Sequence, residues 1–171
     1  TTTARALRWL EDEVVRRLNE GQWYEEIVQA VDLPDDLRDS PYLRPVYGCP
    51  TFAVHAILRR YTGWYDGNPS NLFPSARADV AQEVLGLAGG PANVLERARA
   101  LAAEKQRDAL QRALHLVDFA IDGGGGEDAA AARRLKAELL AARAEQETSF
   151  ISRNILKSAA LLESEAVDAG T

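Results

Sequence analysis

Apolar residues recur every three or four positions through most of this chain, and the pattern is interrupted only where glycine and proline cluster. That spacing places them along one side of a helix, whereas no stretch alternates with the two-residue period of a half-buried strand. The pattern predicts an all-α fold of about eight helices and no sheet. Leu7, Leu10, Val14 and Leu18 form the first stripe, with Trp9 and Val15 beside it. Thr3 or a neighbouring threonine can cap its start, and Gly21 suits the left-handed position at its end. Trp23, Ile27, Val28 and Val31 follow as a shorter helix stopped at Leu33-Pro34, and positions 35–45 read as a connection rich in proline and charge.

The densest stretch runs from Tyr47 to Pro74. Pro50 sets the backbone angle of a helix start, and Phe52, Ala56, Ile57, Tyr61 and Trp64 then fall near one face, which predicts a packing hub. Asp66-Gly67-Asn68-Pro69 is turn chemistry, because glycine accepts positive φ, Asp and Asn bond back to the chain, and proline bars its predecessor from the helical region. Ser75 is the expected cap of the next helix, whose stripe of Val80, Ala81, Val84, Leu85 and Ala88 breaks at Gly89-Gly90-Pro91. Leu95, Ala98, Leu101 and Ala102, then Leu110, Ala113, Leu114, Val117 and Ala120, alternate small and large residues in two helices that resemble one tetratricopeptide-like hairpin. Gly123 to Gly126 read as a slack connection, since no Lys-Ser/Thr pair follows and no strand precedes them as a phosphate cradle requires. Leu135, Leu139 and Leu140 mark the next helix. Ile151, Ile155, Ala159 and Leu162 mark a last one ending near Glu163, so the domain is expected over 1–164 and a polar tail over 165–171.

Composition removes several functions. Net charge is −6 with a pI near 5.0, so no basic field attracts nucleic acid or anionic lipid. No apolar run approaches the roughly 20 residues that cross a bilayer, and the Thr1-Thr2-Thr3-Ala4-Arg5 start has no signal-peptide pattern. The lone Cys49 precludes an internal disulfide, and the absence of methionine is expected of a chain cut from something longer.

Chemistry is sparse. His55 and His115 are the two histidines, neither in a Glu-x-x-His or His-x-x-x-His pair, so no metal site is expected from this chain. Cys49 at a helix start is a candidate nucleophile, but no paired base stands near it in sequence, and a small packed residue is the stronger reading. Tyr47, just ahead of a helix N-terminus, is placed either to offer its hydroxyl to an anion or to satisfy a local backbone group.

The hub stretch resembles a known family, the helical dimerisation domain of alkylsulfatases in the metallo-β-lactamase superfamily. The resemblance rests on Tyr47-Gly48, Val54-His55-Ala56-Ile57, Tyr61-Thr62-Gly63-Trp64-Tyr65-Asp66-Gly67-Asn68-Pro69 and Asn71-Leu72. It continues in Leu87-Ala88-Gly89-Gly90, Val94-Leu95 and Arg153-Asn154, and takes in nearly the whole chain. It implies a parent with an N-terminal β-lactamase-type domain holding two zinc ions, this helical part, and a C-terminal sterol-carrier-like domain. That parent would hydrolyse alkyl sulfate esters in a bacterial cytoplasm or periplasm. This chain would be a homodimerising, cleft-completing piece without catalysis of its own. The resemblance carries Tyr47 over as a sulfate-side contact, with His55 standing where the family has arginine, which removes a planar fork. Trp64, Tyr65 and Phe73 are the expected dimer or cleft surface. Cys49-Pro50 and the tetraglycine also depart from the family pattern and imply a divergent member. The alternative reading is a free-standing helical adaptor for a peptide or acyl chain.

Overall fold

The structure, a computed structural model, describes residues 1–169. Among them are nine α-helices, two short 3-10 turns and no strand, and they divide into two compact units that meet in sequence between Pro74 and Ser75.

The first unit contains α1 (Thr2–Asn19), α2 (Tyr24–Ala30), α3 (Asp35–Arg38), a 3-10 turn at Pro41–Leu43, α4 (Pro50–Thr62) and a second 3-10 turn at Pro69–Asn71. The hydroxyl oxygen of Thr1 caps α1 by accepting from the Ala4 N–H at 3.3 Å. At its other end Gly21 adopts φ +81°, and the N–H groups of Gly21 and Gln22 bond back to the Leu18 and Arg17 carbonyls, satisfying groups the helix leaves open. The core gathers Leu10 and Val14 of α1, Ile27 of α2, Leu37 of α3, and Val54 and Leu58 of α4. Each such aliphatic side chain contributes ~1.5–3 kcal/mol when fully buried.

Two expectations change here. The α1 stripe is rotated, so that Ala6 is buried and Leu7 is half exposed. In α4 the buried face carries Val54 and Leu58 with Ile57 packed beside them, while Phe52, Ala56 and Tyr61, and Trp64 just past the helix end, are exposed. α4 is apolar on more than one side, and the narrower aliphatic residues fit the space beside α1 and α2. α3, four residues long, lies inside the stretch read as a connection.

The second unit contains α5 (Arg77–Leu87), α6 (Pro91–Ala103), α7 (Arg107–Gly123), α8 (Gly126–Glu145) and α9 (Phe150–Ala169). α7 is central, with Ala109, Leu110, Ala113, Leu114, Val117 and Ala120 all buried against α5, α6 and α8. α9 packs on α8. The cap of α5 is Ala76 with no side-chain bond, in place of the expected Ser75. The tetraglycine is not slack along its length. Gly123 closes α7, where a Cβ would stand 2.8 Å from the Ala81 and Gln82 backbone of α5, and Gly126 already opens α8. The tail expected from 165 is helical as far as Ala169, because Val167 continues the inward row of Leu156, Ala160 and Glu163 at helical spacing and no breaker intervenes. Its last two residues lie outside the described range.

Candidate functional site

The motif that closes α4 builds the most organised surface of the first unit. Gly63, at φ +67°, ends the helix with its N–H on the Arg59 carbonyl. Asp66 then holds the turn together. One carboxylate oxygen accepts the Asn68 backbone N–H at 2.8 Å and the other accepts the Asn71 amide at 2.5 Å. The Asn71 amide and the Asn68 N–H keep this carboxyl below the usual aspartate range. The Asp66 carbonyl accepts from the Tyr24 N–H at 3.0 Å, which ties the turn to the first residue of α2. Asn68 repeats the device by accepting from the Ser70 N–H at 3.1 Å.

Beside this turn lies an open cleft of about 620 Å³, lined by Tyr24, Glu25, Arg59, Trp64, Tyr65 and Asp66. The Trp64 and Tyr65 rings meet edge to face with centroids 6.0 Å apart. Trp64 is nonetheless 78% exposed. The Tyr24 hydroxyl and Nδ1 of His55 are 2.7 Å apart, with the rings tilted at 34°, so His55 reaches the cleft through Tyr24. Arg59, one turn beyond His55 on α4, has no carboxylate partner among the described residues. Flat rings and an unpaired guanidinium equip such a surface to bind a flat or anionic group.

Of the residues picked from sequence, Trp64 and Tyr65 line this cleft, and His55 is joined to it only through the Tyr24 hydroxyl. Tyr47, 72% exposed ahead of α4, and Phe73, 87% exposed beyond the second 3-10 turn, do not line it. Tyr24 and Arg59 were missed. Arg59 was legible as the residue four past His55 on one helix face, but Tyr24 is 31 positions away and no local pattern joins the two. Cys49 stands half-buried just before Pro50. Among the described residues no three His, Cys, Asp or Glu side chains converge as a metal site, and His115 Nε2 lies 3.3 Å from the Gln111 amide. No helix among them is long and apolar enough to cross a membrane.

Comparison with known proteins gives this architecture a place. Over 94 residues the chain is 37% identical to a linear primary-alkylsulfatase of Pseudomonas sp., covering 54% of this chain and 18% of that protein. Over 112 residues it is 36% identical to an (R)-specific secondary-alkylsulfatase of Pseudomonas sp., covering 64% and 17%. Over 91 residues it is 33% identical to the alkyl/aryl-sulfatase BDS1 of Saccharomyces cerevisiae, covering 53% and 14%. The chain thus matches less than a fifth of the length of each of these relatives. In structure it is similar to the stereoselective inverting sec-alkylsulfatase Pisa1 from Pseudomonas sp., with TM-score 0.80 and 27% identity over 91% of this chain and 24% of that one. A double mutant of the same enzyme gives TM-score 0.79. The profile of the alkyl sulfatase dimerisation family matches residues 24–165, and the chain belongs to that family.

Proposed function

We propose that this chain is the pairing module of an alkylsulfatase-type hydrolase, holding two copies together and completing one wall of an ester-binding cleft. The observation that carries the reading is the family match across 24–165, together with large apolar side chains left outside either core. Phe52, Tyr61, Trp64, Leu72 and Phe73 in the first unit, and four residues of α9 in the second, are more than a third exposed. Apolar surface on that scale is covered in a working assembly. Trp64, Tyr65 and Phe73 belong to the pairing or cleft surface. Tyr47, exposed ahead of α4, offers its hydroxyl toward the sulfate end of an ester, and His55 acts at the aromatic cleft by orienting Tyr24.

The reaction of the parent is cleavage of an alkyl sulfate by water to an alcohol and sulfate. Two zinc ions would supply the activated water. The donor set here does not fit them, since His55 is engaged by Tyr24 and no three His, Cys, Asp or Glu side chains gather as a metal site among the described residues. On this reading the metals sit in an N-terminal β-lactamase-type domain of the parent, and the alkyl chain is handled by a C-terminal sterol-carrier-like domain.

Sedimentation of the chain across micromolar concentrations tests the pairing. A species of twice 18.7 kDa is expected, and a single 18.7 kDa species throughout would overturn it.

A further inference from the structure

A recess of about 340 Å³ lies in the second unit, between the end of α6, the first turn of α7 and one side of α8. Its floor is aliphatic, made of Leu110, Leu135 and Leu139, each less than a tenth exposed. Ala102 of α6 and Ala142 of α8 also line it, so the room is what two short side chains leave between three helices. No aromatic ring takes part, in contrast to the cleft at Trp64 and Tyr65. Leu135, Leu139, Ala142 and Gln146 follow one another at helical spacing along α8, which makes the recess a slot of roughly 16 Å.

The two ends of the slot differ in charge. Lys105 and Gln146 stand at one, and Glu138 lies toward the other. Lys105 holds φ +55° and is the one non-glycine residue with positive φ among the described residues. Its N–H bonds to the Ala102 carbonyl at 3.1 Å, and its own carbonyl accepts from the Gln146 amide at 3.0 Å, which fixes the backbone that carries the ammonium. No carboxylate pairs with Lys105 among the described residues.

The turns that meet at this end carry further positive charge. Arg107 and Arg143 share the one Glu147 carboxylate at 3.0 and 2.7 Å, and Arg153 bonds only the Glu147 carbonyl. Across 104–112 and 143–157, Lys105, Arg107, Arg112, Arg143, Arg153 and Lys157 stand against Glu104, Asp108, Glu145 and Glu147, a surplus of two positive charges. In a chain of net charge −6, that surplus favours an anion at the Lys105 end, while Glu138 disfavours one farther along.

We propose that the slot binds a linear aliphatic chain ending in a single negative charge, with its head at Lys105 and its tail along Leu110, Leu139 and Leu135. A methylene takes about the room of a water molecule, on the order of 30 Å³, so the slot holds on the order of ten carbons. One unpaired ammonium matches one anionic head, and an aliphatic floor without rings matches a flexible tail rather than a flat ligand. The inference goes beyond the pairing function and does not depend on it.

Titration calorimetry of the 171-residue chain with sodium decanoate, kept below micelle formation, tests the proposal. Saturable one-to-one binding is expected. Octanoate is expected to bind roughly tenfold more weakly, because each buried methylene strengthens binding about fourfold. Lys105→Asn retains a residue suited to left-handed backbone and removes the charge. It is expected to weaken decanoate at least tenfold and to leave 1-decanol within twofold, a split that a merely structural lysine would not produce. Ala142→Leu, at an exposed helical position, narrows the slot and is expected to weaken decanoate and decanol alike, at least tenfold. Decyl sulfate beside decanoate shows which anionic head is preferred, and both are expected to lose affinity in Lys105→Asn. Absence of saturable binding by either anion overturns the proposal. So does decyltrimethylammonium binding as tightly as decanoate, or an affinity for decanoate that Lys105→Asn and Ala142→Leu leave unchanged. Sedimentation reads pairing separately, so a dimer that takes up no decanoate loses this slot alone.

Discussion

Gly67 lies so close to Trp23 that a Cβ built on it would stand 2.9 Å from the Trp23 Cβ, and its backbone holds φ +95°. Both facts demand glycine, and both follow from the turn that Asp66 ties to the start of α2. Gly67→Ala adds a clash and a left-handed alanine at once, and is expected to cost about 1–3 kcal/mol. Urea unfolding followed by tryptophan fluorescence measures it. A change within ~0.5 kcal/mol, the size of an indifferent surface substitution, would show that the turn is not held against Trp23.

The glycine run between α7 and α8 separates two effects that sequence alone confounds. Gly123→Ala should gain about 1 kcal/mol from helix propensity, but its Cβ meets the α5 backbone at 2.8 Å, and overpacking against backbone costs ~1–3 kcal/mol. The clash wins, so the variant is expected to melt lower. At Gly125, in extended backbone at φ −139°, nothing lies within 4 Å of an added Cβ. Gly125 is the N-cap of α8, where glycine is preferred to alanine, so the gain of about 0.4–1 kcal/mol through the unfolded chain is offset and Gly125→Ala is expected to be close to neutral. Equal melting temperatures for the two variants would contradict the packing of α5 on α7.

Helix positions were legible from apolar spacing, and the Asp66 turn from its residues, because both are local. Which side of a helix faces inward was not. α4 and α9 carry more apolar side chains than one core can cover, so the period of 3.6 fits two faces equally well. In α4 the large aromatics drew attention to the wrong side, while Val54 and Leu58 took the interior. In α9 the row of Ile151, Ile155, Ala159 and Leu162 looked like the packed face, yet of these Ala159 packs against the core, beside Leu156 and Ala160, while Ile155 and Leu162 are exposed. Of the candidate site, Trp64, Tyr65 and the motif behind them could be read directly. Tyr24 could not, since its bond to His55 exists only after α2 has packed on α4.

Glu163 makes the attachment of α9 sensitive to acid. Burial opposes its charge, but hydrogen bonds from Lys136 and Arg133 outweigh that and hold the carboxyl below the usual glutamate range. Lys136 in turn reaches Asp118 of α7 at 2.9 Å, so the clamp spans three helices. A depressed carboxyl contributes stability that is complete above its unfolded pKa and lost as pH falls through the folded one. The amides of α9 are therefore expected to exchange faster as pH drops below about 4, after correction for intrinsic rates. Glu163→Gln should be less stable than the parent chain at neutral pH, and the gap should close in acid. A gap that stays constant with pH would mean that the ion pairs do not secure α9.

The bond between the Tyr24 hydroxyl and His55 Nδ1, 2.7 Å long and partly shielded, links α2 to α4 under the aromatic cleft. Which partner donates depends on the imidazole tautomer, but either arrangement satisfies one polar group on each helix. Tyr24→Phe removes the hydroxyl while keeping the ring against His55, and is expected to cost about 0.5–1.5 kcal/mol. His55→Ala removes the ring contact as well and should cost more. The double variant distinguishes a true pair from two separate losses. A coupling energy near 1 kcal/mol is expected if the bond forms, because the second substitution then has nothing left to break. Coupling below ~0.3 kcal/mol would show the two side chains acting independently, and His55 would lose its route to the cleft.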